Sequence, residues 1–145
     1  MQNTQNGFTI VELIVVIVVV SILAVVTVVT FNGFTARAED SRRDASVVSV
    51  KKALEMYRSD NNGYPPCGNL NVDCGYSWLE SQLVPNYMEK FPPIKSVPGQ
   101  PHPSFFNNGV RTSYTLFIPY QSKPSCKTGI NPSLTYRSAY PICSQ

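Results

Sequence analysis

The first part of the chain contains a long apolar run without charge. No charged residue occurs from position 13 to position 36, and most of this run is Val, Ile or Leu. About 20 apolar residues in a helix span the hydrocarbon core of a bilayer. Val and Ile favour strands in water, but an open strand would leave its backbone groups unpaired in lipid. The pattern therefore predicts a membrane-spanning helix at residues 8–35.

The apolar run is followed by an amphipathic stretch. Residues 37–44 form a charged collar, at which we expect the helix to leave the membrane. Apolar side chains then recur at steps of three and four, which places them on one helical face. Because only Gly33 interrupts the pattern, we predict one continuous helix from about residue 8 to about residue 60, ended by Asn62 and Gly63. The apolar positions of this face are Val47, Val50, Leu54 and Tyr57.

We predict that residues 63–145 form a small globular domain, which we call the head. Ser77 can cap a short helix that ends at Leu83. Five prolines at 91–103 exclude a helix or a central strand, so we expect an exposed connector there. Alternating residues at 111–118 and 134–140 predict two strands, which with one or two earlier strands would form an antiparallel sheet. The predicted fold class is α+β, a ladle with a long N-terminal helix packed on that sheet. We divide the chain into a short N-terminal segment (1–7), the membrane-spanning part of the helix (8–35), its amphipathic continuation (36–62) and the head (63–145).

Charge is unevenly placed along the chain. The 12 Lys and Arg outnumber the 9 Asp and Glu, which gives a net charge of +3. After Glu89 there is no acidic residue, so we expect the last third of the chain to present a positively charged surface. Such a surface suits DNA or anionic cell-surface polymers. The alternative is a solvated face that keeps the protein soluble. The candidate anion-binding residues are Lys95, Arg111, Lys123, Lys127 and Arg137.

Four cysteines lie beyond the apolar run, at Cys67, Cys74, Cys126 and Cys143. An even number in a small exported head suggests two disulfides. Three pairings are compatible with the sequence, and we favour the two local loops, Cys67–Cys74 and Cys126–Cys143. A zinc site is the competing interpretation, but there is no C-x-x-C pair and His102 is the only histidine. We expect no metal and no cofactor.

Residues 7–13 read Gly-Phe-Thr-Ile-Val-Glu-Leu and immediately precede the apolar run. This pattern resembles the processing site of type IV prepilins and of the pseudopilins of type II secretion. In that family a membrane aspartyl peptidase cuts after the glycine and N-methylates the new first residue. The resemblance implies cleavage between Gly7 and Phe8, methylation of Phe8 and loss of residues 1–7. The family leader usually carries Lys or Arg, which this leader lacks, so the orientation with the head outside rests on the resemblance and the cysteines.

Glu12 is a carboxylate at the start of the apolar run. Taken alone, it is a side chain near a helix end that can reach the membrane interface. The resemblance implies a second role, in which Glu12 pairs with the Phe8 amine of a neighbouring subunit. A buried pair of this kind sets register more than it adds net stability. The hypothesis is that Glu12 aligns an incoming subunit during assembly.

The resemblance extends from residue 7 to residue 66 and implies two functions, beside which the basic head leaves a third open. The first is a structural subunit of a type IV pilus-like filament, used for adhesion, twitching motility or DNA uptake. The disulfide-closed C-terminal region resembles many pilins. The alternative is the major pseudopilin of type II secretion, because residues 53–66 resemble the end of the long helix in those proteins. Major pseudopilins typically bind calcium through C-terminal carboxylates, and the absence of Asp and Glu after Glu89 favours a pilin. A second alternative is an uncleaved membrane-anchored binding module.

The sequence contains no P-loop, no G-x-G-x-x-G and no G-x-S-x-G motif. We therefore expect no enzymatic activity. The resemblance implies instead that the chain is a substrate of a prepilin peptidase and N-methyltransferase. The expected partners are further copies in a helical filament, the peptidase, an assembly platform with its ATPase, and the membrane. The expected location is the cytoplasmic (inner) membrane, crossed once with the head exported, and an extracellular filament after assembly.

Overall fold

The computed structural model describes residues 7–68, 73–130, 132 and 136–143. The chain divides into two compact units, Met1–Ala36 and Arg37–Gln145. The elements follow in the order α1, β1, α2, β2, β3, β4, which confirms the α+β class. The finer predicted segments, with boundaries after residues 7, 35 and 62, stay a prediction.

Helix α1 comprises Ile10–Asn61, in agreement with the predicted continuous helix. Its stretch Ile10–Thr27 has a mean hydropathy of 3.1 and is long and apolar enough to cross a membrane. Two polar side chains in this stretch bond back to carbonyls one turn earlier, Ser21 to Ile17 at 2.6 Å and Thr27 to Leu23 at 2.8 Å. These bonds satisfy hydroxyls that would otherwise be unpaired in an apolar medium.

The end of α1 is fixed by a distant turn. Asn62 has a φ of +50°, the left-handed conformation in which helices often terminate. The Tyr64 N–H donates to the Arg111 carbonyl at 2.9 Å, and the Arg111 Nε donates back to the Tyr64 carbonyl at 2.6 Å. Asn62 and Gly63 therefore mark the helix end as predicted, while Arg111 holds the chain that follows it.

The second unit contains a four-stranded antiparallel sheet in the order β1-β2-β3-β4. The strands are β1 (Cys74–Gly75), β2 (Ser104–Asn107), β3 (Tyr114–Ile118) and β4 (Cys126–Thr128). The predicted strand at 111–118 thus begins three residues later. Helix α2, Tyr76–Leu83, lies between β1 and β2 in the chain.

The core of the second unit lies between the later part of α1, α2 and the sheet. The predicted apolar face of α1 supplies Val47, Val50 and Leu54, all buried. Leu79 of α2 and Leu116 of β3 are buried in the same cluster. The steps of three and four in the sequence therefore identified the helical face that packs on the head.

Three predictions about the head are wrong. Residues 136–140 are turns, and the φ of Arg137 is +46°, which a strand does not adopt; residues 134 and 135 lie outside the described residues. Helix α2 begins at Tyr76, and its N-cap is Gly75 without a side-chain bond, so Ser77 is not the cap. The segment 91–103 has no helix or strand, as predicted, but it is not simply exposed. It contributes Phe91, Ile94 and Val97 to the buried residues.

Candidate functional site

The predicted processing site lies immediately before α1. Gly7 and Phe8 are outside the helix and exposed. Apart from Gly7 and its chain neighbours, no heavy atom of the described residues lies within 4 Å of the position that a Cβ on Gly7 would occupy. The peptide bond between Gly7 and Phe8 is therefore in open, non-helical backbone, the form that a peptidase can bind.

Thr9 and Glu12 form a capping box at the start of α1. The Thr9 N–H and hydroxyl donate to Glu12 Oε2 at 2.8 and 2.7 Å, and the Glu12 N–H donates to the Thr9 hydroxyl at 3.3 Å. This reciprocal arrangement satisfies backbone N–H groups that a helix start leaves unpaired. The pattern Thr-x-x-Glu was present in the sequence, but the interpretation of Glu12 as an assembly residue overlooked it.

The apolar residues of the first unit are exposed within the single chain. None of the stretch Ile10–Thr27 is buried. Large apolar side chains such as Ile22, Phe31 and Phe34 are more than half exposed. A surface of this kind is stable in lipid or against other protein chains rather than in water.

Two residues of the charged collar are buried in the head. Asp40 and Arg43 are each only 2% exposed, and Arg43 Nη1 donates to Asp40 Oδ1 at 2.9 Å. The same carboxylate accepts from the backbone N–H of Gln121 at 2.9 Å and from the N–H and hydroxyl of Ser122 at 2.7 Å each. Arg43 also reaches the Lys95 carbonyl at 3.4 Å. These two collar residues are therefore an internal anchor of the head.

The electrostatics of Asp40 follow from these contacts. Burial acts to raise the pKa of the carboxyl group, but the hydrogen bonds from Gln121, Ser122 and Arg43 outweigh it and hold the pKa below its ordinary value of 3.8. Asp40 is therefore ionised at neutral pH. The buried carboxylate and the buried guanidinium compensate each other, as buried charges require.

A second carboxylate of α1 binds the same loop. Asp44 accepts from the Tyr120 hydroxyl at 2.5 Å and from Lys123 Nζ at 2.7 Å. Burial, followed by the hydrogen bond to Asp44, raises the pKa of Tyr120 above its ordinary value of 10.0. Asp40 and Asp44 are one helical turn apart, so together they attach residues 120–123 along one side of α1.

The four cysteines form the two local loops favoured by the sequence. Cys67 pairs with Cys74 across a separation of 7 residues, and Cys126 pairs with Cys143 across 17. Beside the second disulfide, the Lys127 N–H donates to the Pro141 carbonyl at 2.9 Å. The Cys143 N–H donates to the Lys127 carbonyl at 2.8 Å. The C-terminal segment is therefore held against β4 by both backbone bonds and a covalent link.

Two of the five candidate anion-binding residues have structural partners inside the head. Lys127 is only 2% exposed, and its Nζ donates to the Tyr136 carbonyl at 3.0 Å. Burial lowers the pKa of Lys127 below its ordinary value of 10.5. Arg111 is half-buried and bonded to the Tyr64 carbonyl at the end of α1. Neither side chain forms part of an exposed basic surface.

The other three basic residues are more accessible, and two of them are paired with carboxylates. Arg137 pairs with Asp73 at 2.9 Å, and Lys123 pairs with Asp44 at 2.7 Å. Lys95 is exposed in the segment between α2 and β2. The structure therefore does not bring the five residues together into one site. Among the residues that the structure describes, no group of three or more His, Cys, Asp or Glu side chains could hold a metal ion.

Comparisons with known proteins identify the N-terminal motif and several relatives. Residues 2–28 match the family model described as the prokaryotic N-terminal methylation motif. A relative from Escherichia coli (strain K12), named type II secretion system core protein G, is 38% identical over 101 residues, which cover 67% of this chain and 66% of the relative.

Two proteins of the same name match a shorter region. Those from Pectobacterium carotovorum subsp. carotovorum and Aeromonas hydrophila are each 41% identical over 61 residues, or 42% of this chain. The chain spans only 39% and 43% of the length of these two relatives. No solved structure gives a significant match.

An apolar N-terminal helix with a methylation motif and a small α+β head define a membrane-anchored structural subunit with an exported head. The helix, the motif and the relatives agree on this class. The chain belongs to the type IV pilin and pseudopilin family. Members of this family are structural subunits rather than enzymes, and they assemble into filaments.

Proposed function

We propose that this protein is a pseudopilin, a subunit of the short filament of a type II secretion system. The observation that carries the proposal is the similarity to proteins named type II secretion system core protein G, which extends beyond the methylation motif over 101 residues in one case. The exposed apolar residues of the first unit suit the core of a filament. This interpretation replaces the pilus-like filament as the leading one.

Maturation is part of the proposal. A prepilin peptidase cuts between Gly7 and Phe8 and methylates the new amine of Phe8. Glu12, which accepts two hydrogen bonds from Thr9 in the single chain, then pairs with the Phe8 amine of a neighbour during assembly. An assembly platform and its ATPase extract the subunit from the inner membrane. Support comes from the open backbone at residues 7 and 8 and from the match to the methylation motif.

The test is the mass of the N-terminal peptide of protein purified from its native membranes. We expect a peptide that begins at Phe8 and carries one added methyl group. A chain that still begins at Met1, or is cut elsewhere, would contradict the proposal. It would favour an uncleaved membrane-anchored binding module instead. The matched variant Glu12→Gln, which keeps the shape of the side chain, should be cleaved but should assemble poorly.

A type IV pilus-like filament outside the cell remains a second candidate. It is favoured by the absence of Asp and Glu after Glu89 and by the C-terminal region closed by Cys126 and Cys143. Calcium sites in proteins take several oxygen ligands, normally with carboxylates among them. Filaments in the sheared surface fraction that are unaffected by chelation of calcium would support a pilus used for adhesion, motility or DNA uptake. Assemblies confined to the envelope would support the pseudopilin.

A further inference from the structure

One groove of the head carries more positive than negative charge and lies close in the chain to the end of the apolar run. It has a volume of about 370 Å³ and lies between α1 and the segment that connects α2 to β2. We call it the basic groove. Two cations and one carboxylate are among its lining residues, which are Glu39, Arg42, Ala45, Ser46, Pro93 and Lys95.

The two cations of the basic groove are accessible and weakly paired. The side chain of Arg42 is 83% exposed, and its ion pair with Glu39 is long, at 3.7 Å from Nη1 to Oε2. Lys95 is exposed and has no ion pair within the part of the chain that the structure describes. An exposed ion pair contributes little to stability. An anionic ligand can therefore replace Glu39 as the partner of Arg42 and can bind Lys95 at the same time.

The neighbouring carboxylates of α1 already have cationic partners. Asp40 is buried with Arg43, and Asp44 pairs with Lys123 at 2.7 Å. Arg43 also donates to the backbone carbonyl of Lys95 at 3.4 Å, which holds the segment of Lys95 beside α1. The internal anchor of the head therefore also positions one wall of the basic groove.

The basic groove follows the membrane-spanning stretch along α1. The uncharged residues 13–36 form about 36 Å of helix, which can cross a hydrocarbon core of about 30 Å with a tilt. Arg42 is six residues after Ala36, or about 9 Å along the helix. Helical side chains lean toward the N-terminus of their helix, so the long side chain of Arg42 extends back toward the apolar run. Its guanidinium is therefore expected at the level of the lipid headgroups.

We propose that the basic groove binds the phosphate of an anionic phospholipid while the subunit is in the membrane. Arg42 presents a fork of N–H donors and Lys95 an ammonium group, and both groups bind phosphate oxygens well. The charge of the groove complements that of the lipid, and the groove is continuous in the chain with the stretch that can cross the bilayer. This inference goes beyond the proposed function, since it concerns the subunit before it enters a filament.

The full chain in lipid nanodiscs tests the charges of the groove. The nanodiscs contain phosphatidylcholine and phosphatidylglycerol, and native mass spectrometry in mild detergent measures the phosphatidylglycerol that each chain retains. We expect Arg42→Gln and Lys95→Gln each to lower this amount by about fivefold, as for one basic residue at an anionic membrane surface. Glu39→Gln should raise it, because it removes the carboxylate of the groove. Lys52→Gln removes an exposed charge about 15 Å further along α1 and should change it by less than about twofold.

A photo-crosslinking amino acid separates binding in the groove from general closeness to the membrane. Ala45 lines the groove, whereas Ser41 is exposed, lies outside the lining and is four residues nearer to the apolar run. We expect the probe at position 45 to crosslink phosphatidylglycerol in preference to phosphatidylcholine, and in higher yield than the probe at position 41.

Three results would overturn the inference. They are a higher lipid yield from position 41, crosslinks from position 45 mainly to protein, and wild-type retention of phosphatidylglycerol by Arg42→Gln and Lys95→Gln. Both variants should keep the wild-type melting temperature because these side chains are exposed, so a loss of retained lipid reports on binding. The proposed function is tested separately by the mass of the N-terminal peptide, so either proposal can fail without the other.

Discussion

Replacement of Asp40 by Ala tests the internal anchor of the head. The substitution removes the carboxylate that accepts bonds from Gln121, Ser122 and Arg43. Arg43 is 2% exposed and, among the described residues, would keep only the long contact to the Lys95 carbonyl at 3.4 Å. Removal of one partner of a buried ion pair costs about 3–5 kcal/mol, because the other charge stays buried without compensation.

The expected change is large enough for a simple assay. A loss of 1 kcal/mol lowers the melting temperature of a domain of roughly 100 residues by about 4 °C or more. We therefore expect Asp40→Ala to lower the melting temperature of the head by at least about 12 °C. The measurement is thermal unfolding of the full chain in detergent, monitored by near-UV circular dichroism, since Trp78 and all eight tyrosines lie in the second unit.

Two further variants separate the cause from a general effect of substitution. Asp60→Ala removes an exposed carboxylate from the same helix and should change stability by less than about 0.5 kcal/mol. Asp40→Ala combined with Arg43→Leu removes both buried charges and should recover part of the loss, because an apolar pair can replace a buried ion pair. If Asp40→Ala were as mild as Asp60→Ala, or if the double variant were as unstable as the sum of the two single ones, the anchor would not act as described.

The other predictions concern pH and single positions in the head. The fold holds the pKa of Asp40 below 3.8, so the contribution of Asp40 to the free energy of unfolding is complete above pH 3.8 and is lost as the pH falls through the lower pKa of the folded state. The free energies of unfolding of wild type and Asp40→Asn, measured with urea, should therefore converge only below about pH 3.8. A difference that stays unchanged in stronger acid would contradict this. Gly129→Ala should lower the free energy of unfolding by about 3 kcal/mol or prevent folding. The φ of Gly129 is +152°, which is unfavourable for other residues, and the new Cβ would clash with the Tyr114 carbonyl oxygen. A wild-type melting curve would contradict this prediction. Tyr114→Phe should leave the free energy of unfolding unchanged or raise it, because the buried Tyr114 hydroxyl has no hydrogen-bond partner among the residues that the structure describes. Tyr120→Phe should lower the free energy of unfolding by about 1 kcal/mol through loss of the bond to Asp44, and equal losses for both variants would refute the assignment.

Local patterns were sufficient for the long helix. The apolar run and the steps of three and four through Val47, Val50 and Leu54 depend on residues close in sequence, so they predicted α1 nearly to its observed bounds. The capping box of Thr9 and Glu12 was equally local and was readable from the spacing Thr-x-x-Glu. The N-terminal processing motif belongs to the same class of signal, since it lies within a few consecutive residues.

Long-range contacts explain what the sequence did not predict. Besides Arg43, the partners of Asp40 are Gln121 and Ser122, which lie 81 and 82 residues away, so the local sequence did not indicate that a collar residue is buried. Arg137 pairs with Asp73, 64 residues earlier, and lies 4.7 Å from the centre of the Phe117 ring. These contacts favour a turn at 136–140, although the alternation of residues there is typical of a strand. Tertiary contacts outweighed local propensity at this point.

The position of Asp40 has a mechanical consequence. Helix α1 continues from the first unit into the second at Ala36 and Arg37, so a pull on the N-terminal segment enters the head along α1. Three residues after Arg37, the load reaches a carboxylate bonded to the loop at residues 121 and 122. That loop continues into β4, where Cys126 is covalently linked to Cys143. Tension is therefore shared between the part of α1 that begins the second unit and the C-terminal end of the chain. Several hydrogen bonds must break together before these two parts separate.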